Sequence, residues 1–195
     1  MSSPELMTSR SPLVRSARRL ARRASRTSER LFLTEGPQAV REALDFTAPD
    51  GAGCVVEVFA TYDAGQRHHD LLAVADADGI PWHLVEPAAL AGLAATVTPQ
   101  GVVAVCRFVD VPLADVLAAP TSLVAVCVDV RDPGNAGTVI RCADAVGADA
   151  VVFAGTSVDP YNGKTVRASV GSLFHLPIVL GHTASSPWRL CERPA

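Results

Sequence analysis

The sequence predicts an α/β protein made of two α/β units, the second built on a parallel sheet. Three observations carry this expectation. Short apolar runs alternate with segments of helical period from residue 31 to residue 180. A stretch with two prolines, 109-VDVPLADVLAAPTS-122, interrupts the alternation near its middle. The run 122-SLVAVCVDV-130 is apolar almost throughout, which suits a strand buried on both faces of a parallel sheet.

The elements follow in order. In 11-SPLVRSARRLARRASRTSER-30, Ser11 suits an N-cap and Pro12 the first helical position. Arg15, Arg18, Arg19, Arg22, Arg23 and Arg26 recur at steps of three and four, which stacks them on one helical face. Leu13, Val14, Ala17, Leu20, Ala21 and Ala24 form the other stripe. Six like charges repel, so this helix is expected to form fully only against a polyanion or a packed body. The segment 31-LFLTEGPQAVREAL-44 reads as strand, Gly-Pro turn and helix. Strands are expected at 54–61, 80–85 and 101–108, with helices around 66–78 and 87–96 between them. After the proline-rich stretch come a strand at 123–130, a helix at 136–147 stopped by Gly147, and a strand at 149–155. A helix at about 163–174 and a short strand at 176–180 complete the pattern. The expected organisation is a basic helical arm (1–30), a first domain (31–110), a linker (111–122), a second domain (123–180) and an atypical tail (181–195). Three strands leave that second sheet short, with an open edge that invites aggregation.

Bulk properties narrow the function classes. At 195 residues and nearly half apolar, the chain has enough material for a core. No apolar run approaches the roughly 20 residues of a membrane span, and no secretory-type segment stands near the N-terminus. Cys54, Cys106, Cys127, Cys142 and Cys191 are scattered, with no metal-site spacing, and read as reduced core cysteines of a cytoplasmic protein. No metal is expected. His68 and His69 fall in a polar helix and are expected to face solvent. The net charge of −3 conceals an asymmetry: residues 1–30 carry eight Arg and two Glu, and the rest carries nine basic and eighteen acidic residues. Three readings fit the arm. Its guanidinium forks suit phosphates of a nucleic acid. It also has the form of a solvated helix or frayed tail, and of an Arg- and Ser-rich transit peptide.

The chemistry centres on 132-DPGNAG-137, which follows a strand and opens a helix. That is where ligands sit in open α/β sheets. It lacks both the G-x-G-x-x-G fingerprint and the Walker Gly-Lys-Ser/Thr. In a purely structural reading, Asn135 caps the helix and Arg141 snorkels to the surface. In a functional reading, both reach the ligand crevice, where a guanidinium partners phosphate or ribose.

Asp132-Pro133-x-Asn135-x-Gly137-x-x-x-Arg141, followed by Ala143, Ala145 and Gly147, resembles the first signature of the SPOUT-class (SpoU/TrmH) RNA ribose methyltransferases. The stretch 162-NGKTVRASVGSLFHLPIV-179 is similar to the segment C-terminal to that signature in the family, and 35-EGPQAVREAL-44 to its substrate-binding domain. The resemblance spans roughly residues 10–180. It implies a small ribosomal-protein-like α/β substrate-binding domain followed by a SPOUT domain of trefoil-knot type. It implies S-adenosylmethionine as methyl donor, and ribosomal or transfer RNA as partner and substrate, methylated on a ribose 2′-hydroxyl. In the family, the residues matching Arg141 and Asn135 act at the target hydroxyl. Arg stays protonated, so orienting the hydroxyl and stabilising an alkoxide suits it better than removing a proton. Arg167 and Ser169 are expected to support RNA or phosphate binding, and Gly137 is a further supporting residue of the site. The family's Gly/Glu-rich loop and Ser-Leu-Asn helix entry are not found. The expectation is therefore a C-terminally truncated member, inactive as this chain, with unassigned cofactor residues and most of the family's homodimer interface missing. Two alternatives stand beside it: a non-catalytic RNA-binding protein, and an unrelated small-molecule α/β enzyme.

Overall fold

A computed structural model of the chain describes residues 6–181, so the predicted tail, with Trp188 and Cys191, lies outside the described residues apart from Gly181. The chain divides into two compact units, Met1–Phe108 and Val109–Ala195. The α/β class and the parallel sheet of the second unit match the expectation.

The first unit holds β1 (Leu31–Glu35), β2 (Val55–Ala60), β3 (Trp82–Leu84) and β4 (Val102–Arg107) in the order β1-β4-β2-β3. The β1–β4 and β4–β2 pairs are antiparallel, and β2–β3 is parallel. Strand β1 alternates, burying Phe32 and Thr34. Helix α3 (Pro37–Asp45) starts on the predicted Gly-Pro turn and buries Ala39, Val40, Ala43 and Leu44 against β1, β4 and α5 (His69–Ala77). The single helix expected at 66–78 is two, α4 (Tyr62–Arg67) and α5, because His68 leaves helical geometry at φ −121°, ψ 46°. His69 is exposed and His68 half-buried.

The basic arm differs from its expectation in two ways. It is two helices, α1 (Pro12–Arg19) and α2 (Arg23–Glu29), separated by extended backbone at Arg22. It is also a wall of the core. Val14, Ala17 and Leu20 are buried in one cluster with Phe59, Val103 and Val105 of the sheet and with Ala89 and Leu90 of α6 (Pro87–Ala91). Leu13, Ala21 and Ala24, assigned to the same stripe from sequence, are exposed: Leu13 lies off the face that buries Val14 and Ala17, and the break turns Ala21 and Ala24 away. Arg26 explains the break. It is 3% exposed, and its Nη1 donates to the carbonyls of Leu20 and Ala21, both at 2.9 Å. Those are end-of-helix acceptors that a continuous helix would have satisfied itself.

In the second unit, α7 (Leu113–Ala118) occupies the predicted linker. Strands β5 (Val124–Val128), β6 (Ala150–Ala154) and β7 (Ile178–Leu180) are parallel in the order β5-β6-β7. Val116 of α7 packs on Ala150, Val152 and Val179. Val126 and Val128 on β5 stay 40% and 44% exposed. Helix α8 (Pro133–Ala145) buries Ala136, Gly137, Ile140 and Ala143. The predicted helix at 163–174 ends early as α9 (Gly163–Ser169), because Val170 (φ 53°) and Gly171 (φ 95°) turn left-handed before a 3-10 turn at Ser172–Phe174. Cys54, Cys106 and Cys127 are buried free thiols, as expected, but Cys142 is exposed on α8. No helix among the described residues is long and apolar enough to cross a membrane.

Candidate functional site

Three parallel strands bring their C-terminal ends to one edge of the second sheet, and the loops after β5 and β6 are stitched together there. Asp129 adopts a left-handed φ of 54°, and its Oδ1 accepts from the backbone N–H of Thr156 at 2.7 Å and from its hydroxyl at 2.8 Å. These bonds, the backbone N–H first, hold the Asp129 carboxyl below the usual carboxylate range. The Ser157 hydroxyl donates to the carbonyls of Cys127 (3.1 Å) and Ala154 (2.6 Å), bridging the ends of β5 and β6.

Asp132 is the N-cap of α8: its Oδ1 accepts from the Asn135 N–H at 2.9 Å. Asn135 is therefore the third residue inside the helix, and the cap it was read as from sequence is Asp132. Lys164 of α9 reaches Asp132 Oδ2 at 3.3 Å, tying the mouths of the two helices. The Asn135 N–H and then Lys164 hold the Asp132 carboxyl low. Asn162 caps α9 through the Lys164 N–H at 2.9 Å.

Asn135 and Arg141 are both exposed. Six residues of helix separate them by about 9 Å along the axis and about 120° around it. Thr138 and Cys142 are exposed between them, so the two side chains stand at the margins of one solvent-facing stripe of α8. Asn135 belongs to the helix mouth with Asp132 and Lys164. Arg141 stands more than a turn further along.

The other residues chosen from sequence divide. Gly137 is a packing residue: a Cβ there would lie 2.5 Å from the Thr165 carbonyl oxygen and 2.6 Å from Ala168 Cβ, so its absence lets α8 and α9 cross closely. Ser169 is fully buried and donates to the Val166 carbonyl at 2.7 Å, so the supporting role expected of it is not one of direct RNA contact. Arg167 is half-buried in the last turn of α9. Sequence reasoning missed Asp129, Ser157 and Lys164, whose partners lie 27 to 32 residues away. It also missed the pair of His175 Nδ1 and Asp144 Oδ2 at 2.7 Å. Only the Asn-Gly-Lys start of α9 carried a local cue.

In the first unit, Arg15, Arg18, Arg19 and Arg22 line a groove of about 740 Å³ whose floor includes Gly92. Arg19 is steadied by Ser16 (3.3 Å) and by Glu29 (3.6 Å). Arg23 is exposed outside the groove, and Arg26 points into the protein, so burial removes Arg26 from the predicted basic face. Four guanidinium groups line one open groove, a donor geometry suited to successive anions.

Comparison with known proteins covers both units. The model of the SpoU rRNA Methylase family matches residues 122–193, past residue 180, where the resemblance read from sequence stopped. A model described as RNA 2′-O ribose methyltransferase substrate binding matches residues 33–112. The 23S rRNA (guanosine(2553)-2′-O)-methyltransferase RlmP of Bacillus subtilis is 35% identical over 90% of this chain, which spans 64% of that relative. The AdoMet-bound rRNA methyltransferase from Sinorhizobium meliloti is 30% identical with a TM-score of 0.79, over 96% of this chain and 68% of that one. The SpoU methyltransferase AviRb from Streptomyces viridochromogenes, in complex with AdoMet, is 27% identical with a TM-score of 0.75, over 93% of this chain and 65% of that one.

Proposed function

The chain belongs to the SpoU family of RNA ribose methyltransferases, and from that premise we propose that it takes part in 2′-O-methylation of ribosomal or transfer RNA. The observation that carries the reading is the exposed stripe of α8, with Asn135 at the strand-end mouth and Arg141 beyond it. Arg141 donates to the target hydroxyl oxygen and to a neighbouring phosphate. It keeps its charge throughout, so its role is to orient the hydroxyl and stabilise negative charge developing on that oxygen. The Asn135 amide holds the ribose from the helix mouth. The groove of Arg15, Arg18, Arg19 and Arg22 grips the RNA backbone, with Arg23 adding to the surrounding field.

S-adenosylmethionine is the family's cofactor. The polar groups at the strand-end edge do not fit a cradle for it as they stand. Asp129 is engaged by Thr156, Asp132 by Asn135 and Lys164, and Ser157 by two carbonyls. On this reading, the described residues supply the RNA-binding and hydroxyl-orienting half of the chemistry, and the chain alone binds RNA without transferring methyl. The free thiols Cys54, Cys106 and Cys127, buried as in a reducing compartment, support a cytoplasmic setting as part of the same proposal.

The test is to incubate the purified chain with ribosomal RNA and labelled S-adenosylmethionine, alongside a filter-binding titration at several salt concentrations. RNA retention that falls steeply with salt, without label in the RNA, is the expected result. Label incorporated into ribose overturns the non-catalytic half, and salt-insensitive or absent retention overturns the RNA-binding half.

A further inference from the structure

The first unit has a second cavity, unrelated to the arginine groove in chemistry. It measures about 520 Å³ and lies between α4, α5 and the start of β3, with Tyr62, Gln66, Leu72, Asp76 and Trp82 among its walls. Two features stand out. Tyr62, on the first turn of α4, is 63% exposed and lines the cavity. The indole Nε1 of Trp82 is buried and meets no hydrogen-bond partner among the described residues. A buried indole N–H without an acceptor is costly, and such groups nearly always find a partner. Gly65 stands beside it: a Cβ there would lie 3.9 Å from Nε1, at ordinary van der Waals contact.

We propose that this cavity is a subsite for an unstacked nucleobase of the RNA. The proposal rests on the RNA-binding reading above and deepens it. The Tyr62 ring offers a face for stacking. The Trp82 N–H is shut off from solvent as it stands, and a shift of the ring at the cavity wall brings it to a base carbonyl or ring nitrogen. The Gln66 amide and the Asp76 carboxylate offer an acceptor for an exocyclic amine or ring N–H. An indole donor, an aromatic face and a carboxylate acceptor together match a base edge and a base face. They do not match a phosphate, which a carboxylate repels. A peptide side chain would also fit the aromatic wall, but the arginine groove in the same unit gives the cavity a polyanionic ligand whose bases come with it. Base readout in RNA is directed at single-stranded segments, whose bases are free to leave the stack. The cavity therefore distinguishes single strands from duplexes, whereas the groove does not.

Four proteins settle it: the full chain, Tyr62→Ala, Trp82→Phe and Arg18→Ala/Arg22→Ala. Each is titrated with a single-stranded RNA and with a duplex of equal length, at several salt concentrations, after its thermal midpoint is recorded. The exposed Tyr62 is expected to be removable without loss of stability, which keeps the test open if Trp82→Phe disturbs packing. Tyr62→Ala and Trp82→Phe are each expected to weaken single-strand binding about tenfold, leaving the salt slope and duplex binding unchanged. The double arginine variant is expected to weaken both RNAs and flatten the slope. If single-strand affinity survives Tyr62→Ala and Trp82→Phe while the arginine variant still loses both RNAs, the subsite is overturned and the RNA reading stands. If the unaltered chain binds neither RNA, both fall. Titration with the four nucleoside monophosphates, followed by Trp fluorescence in Trp188→Phe, adds a readout without backbone charge. Saturable quenching is expected, and no quenching by any of the four overturns the base pocket.

Discussion

Replacing Gly137 by alanine sets two physical effects against each other, and the structure decides the sign. Glycine costs a helix about 1 kcal/mol relative to alanine, so propensity alone predicts that Gly137→Ala stabilises. The new methyl would lie 2.5 Å from the Thr165 carbonyl oxygen, 2.6 Å from Ala168 Cβ and 2.9 Å from the Ala168 carbonyl carbon, where ordinary contact begins at 3.4 Å. Helices α8 and α9 must part by about 0.9 Å at the crossing. Two of the three obstructing atoms are backbone, so no rotamer change relieves them. Overpacking of this kind costs about 1–3 kcal/mol and sometimes more. The net expectation is a loss of up to about 2 kcal/mol for Gly137→Ala, and a larger loss for Gly137→Val, which adds two further carbons. Urea unfolding followed by circular dichroism reads the difference as a lower midpoint at unchanged slope. A midpoint equal to or above that of the unaltered chain would refute the close-crossing argument.

Four further outcomes are expected. Arg26→Ala strips one buried and one part-buried carbonyl of their donor and should cost about 1–3 kcal/mol, seen as a lowered thermal midpoint; an unchanged midpoint would return Arg26 to the surface. Val170→Gly removes a β-branched residue from a left-handed φ of 53° and should raise stability by about 0.5–1 kcal/mol after the glycine's unfolded-state entropy is subtracted; a lowered midpoint would show that the turn is unstrained. Asp129, Asp132 and Asp149 all have carboxyls held below the ordinary value, each chiefly by backbone N–H donors, from Thr156, Asn135 and Leu123 respectively. Their stabilisation is present above the unfolded pKa of about 3.9 and is lost as pH falls through the lower folded values; Asp149→Asn should flatten the acid limb of a midpoint-against-pH curve, and an unaltered limb would count against it. For single-stranded RNA, four groove arginines set a slope of log affinity against log salt of about −3, and a slope near zero would exclude the groove.

Local sequence marked what local physics controls. The Gly-Pro turn before α3 and the apolar runs of β2, β4 and β6 could be read directly, because a turn residue or an unbroken run of valines has few other uses. The strand order β1-β4-β2-β3 could not, since pairing partners some 70 residues apart leave no periodic trace. Arg26 looked like its neighbours on the helical wheel, and only the break at Arg22 turns it inward. Ser169 and Cys142 show the same limit in opposite senses: a polar residue is fully buried by the α9 packing, and a thiol in an apolar run lands on the solvent stripe of α8. At the candidate site, Asn135 and Arg141 announced themselves as the one amide and the one cation of a helix made mostly of small and apolar residues. The Trp82 cavity did not, because its walls come from two helices and a strand that meet only in the folded unit.

The packing of α1 bears on how this protein is matured and handled. An Arg-rich N-terminal segment invites removal, by a processing peptidase in a cell or by a cloning boundary at residue 31 in a laboratory. Here Val14, Ala17 and Leu20 roof Phe59, Val103 and Val105, so cleavage would bare the sheet and forfeit about 1.5–3 kcal/mol for each large side chain lost. The leader-like stretch is a keystone: trimming it leaves a sticky fragment with an opened core.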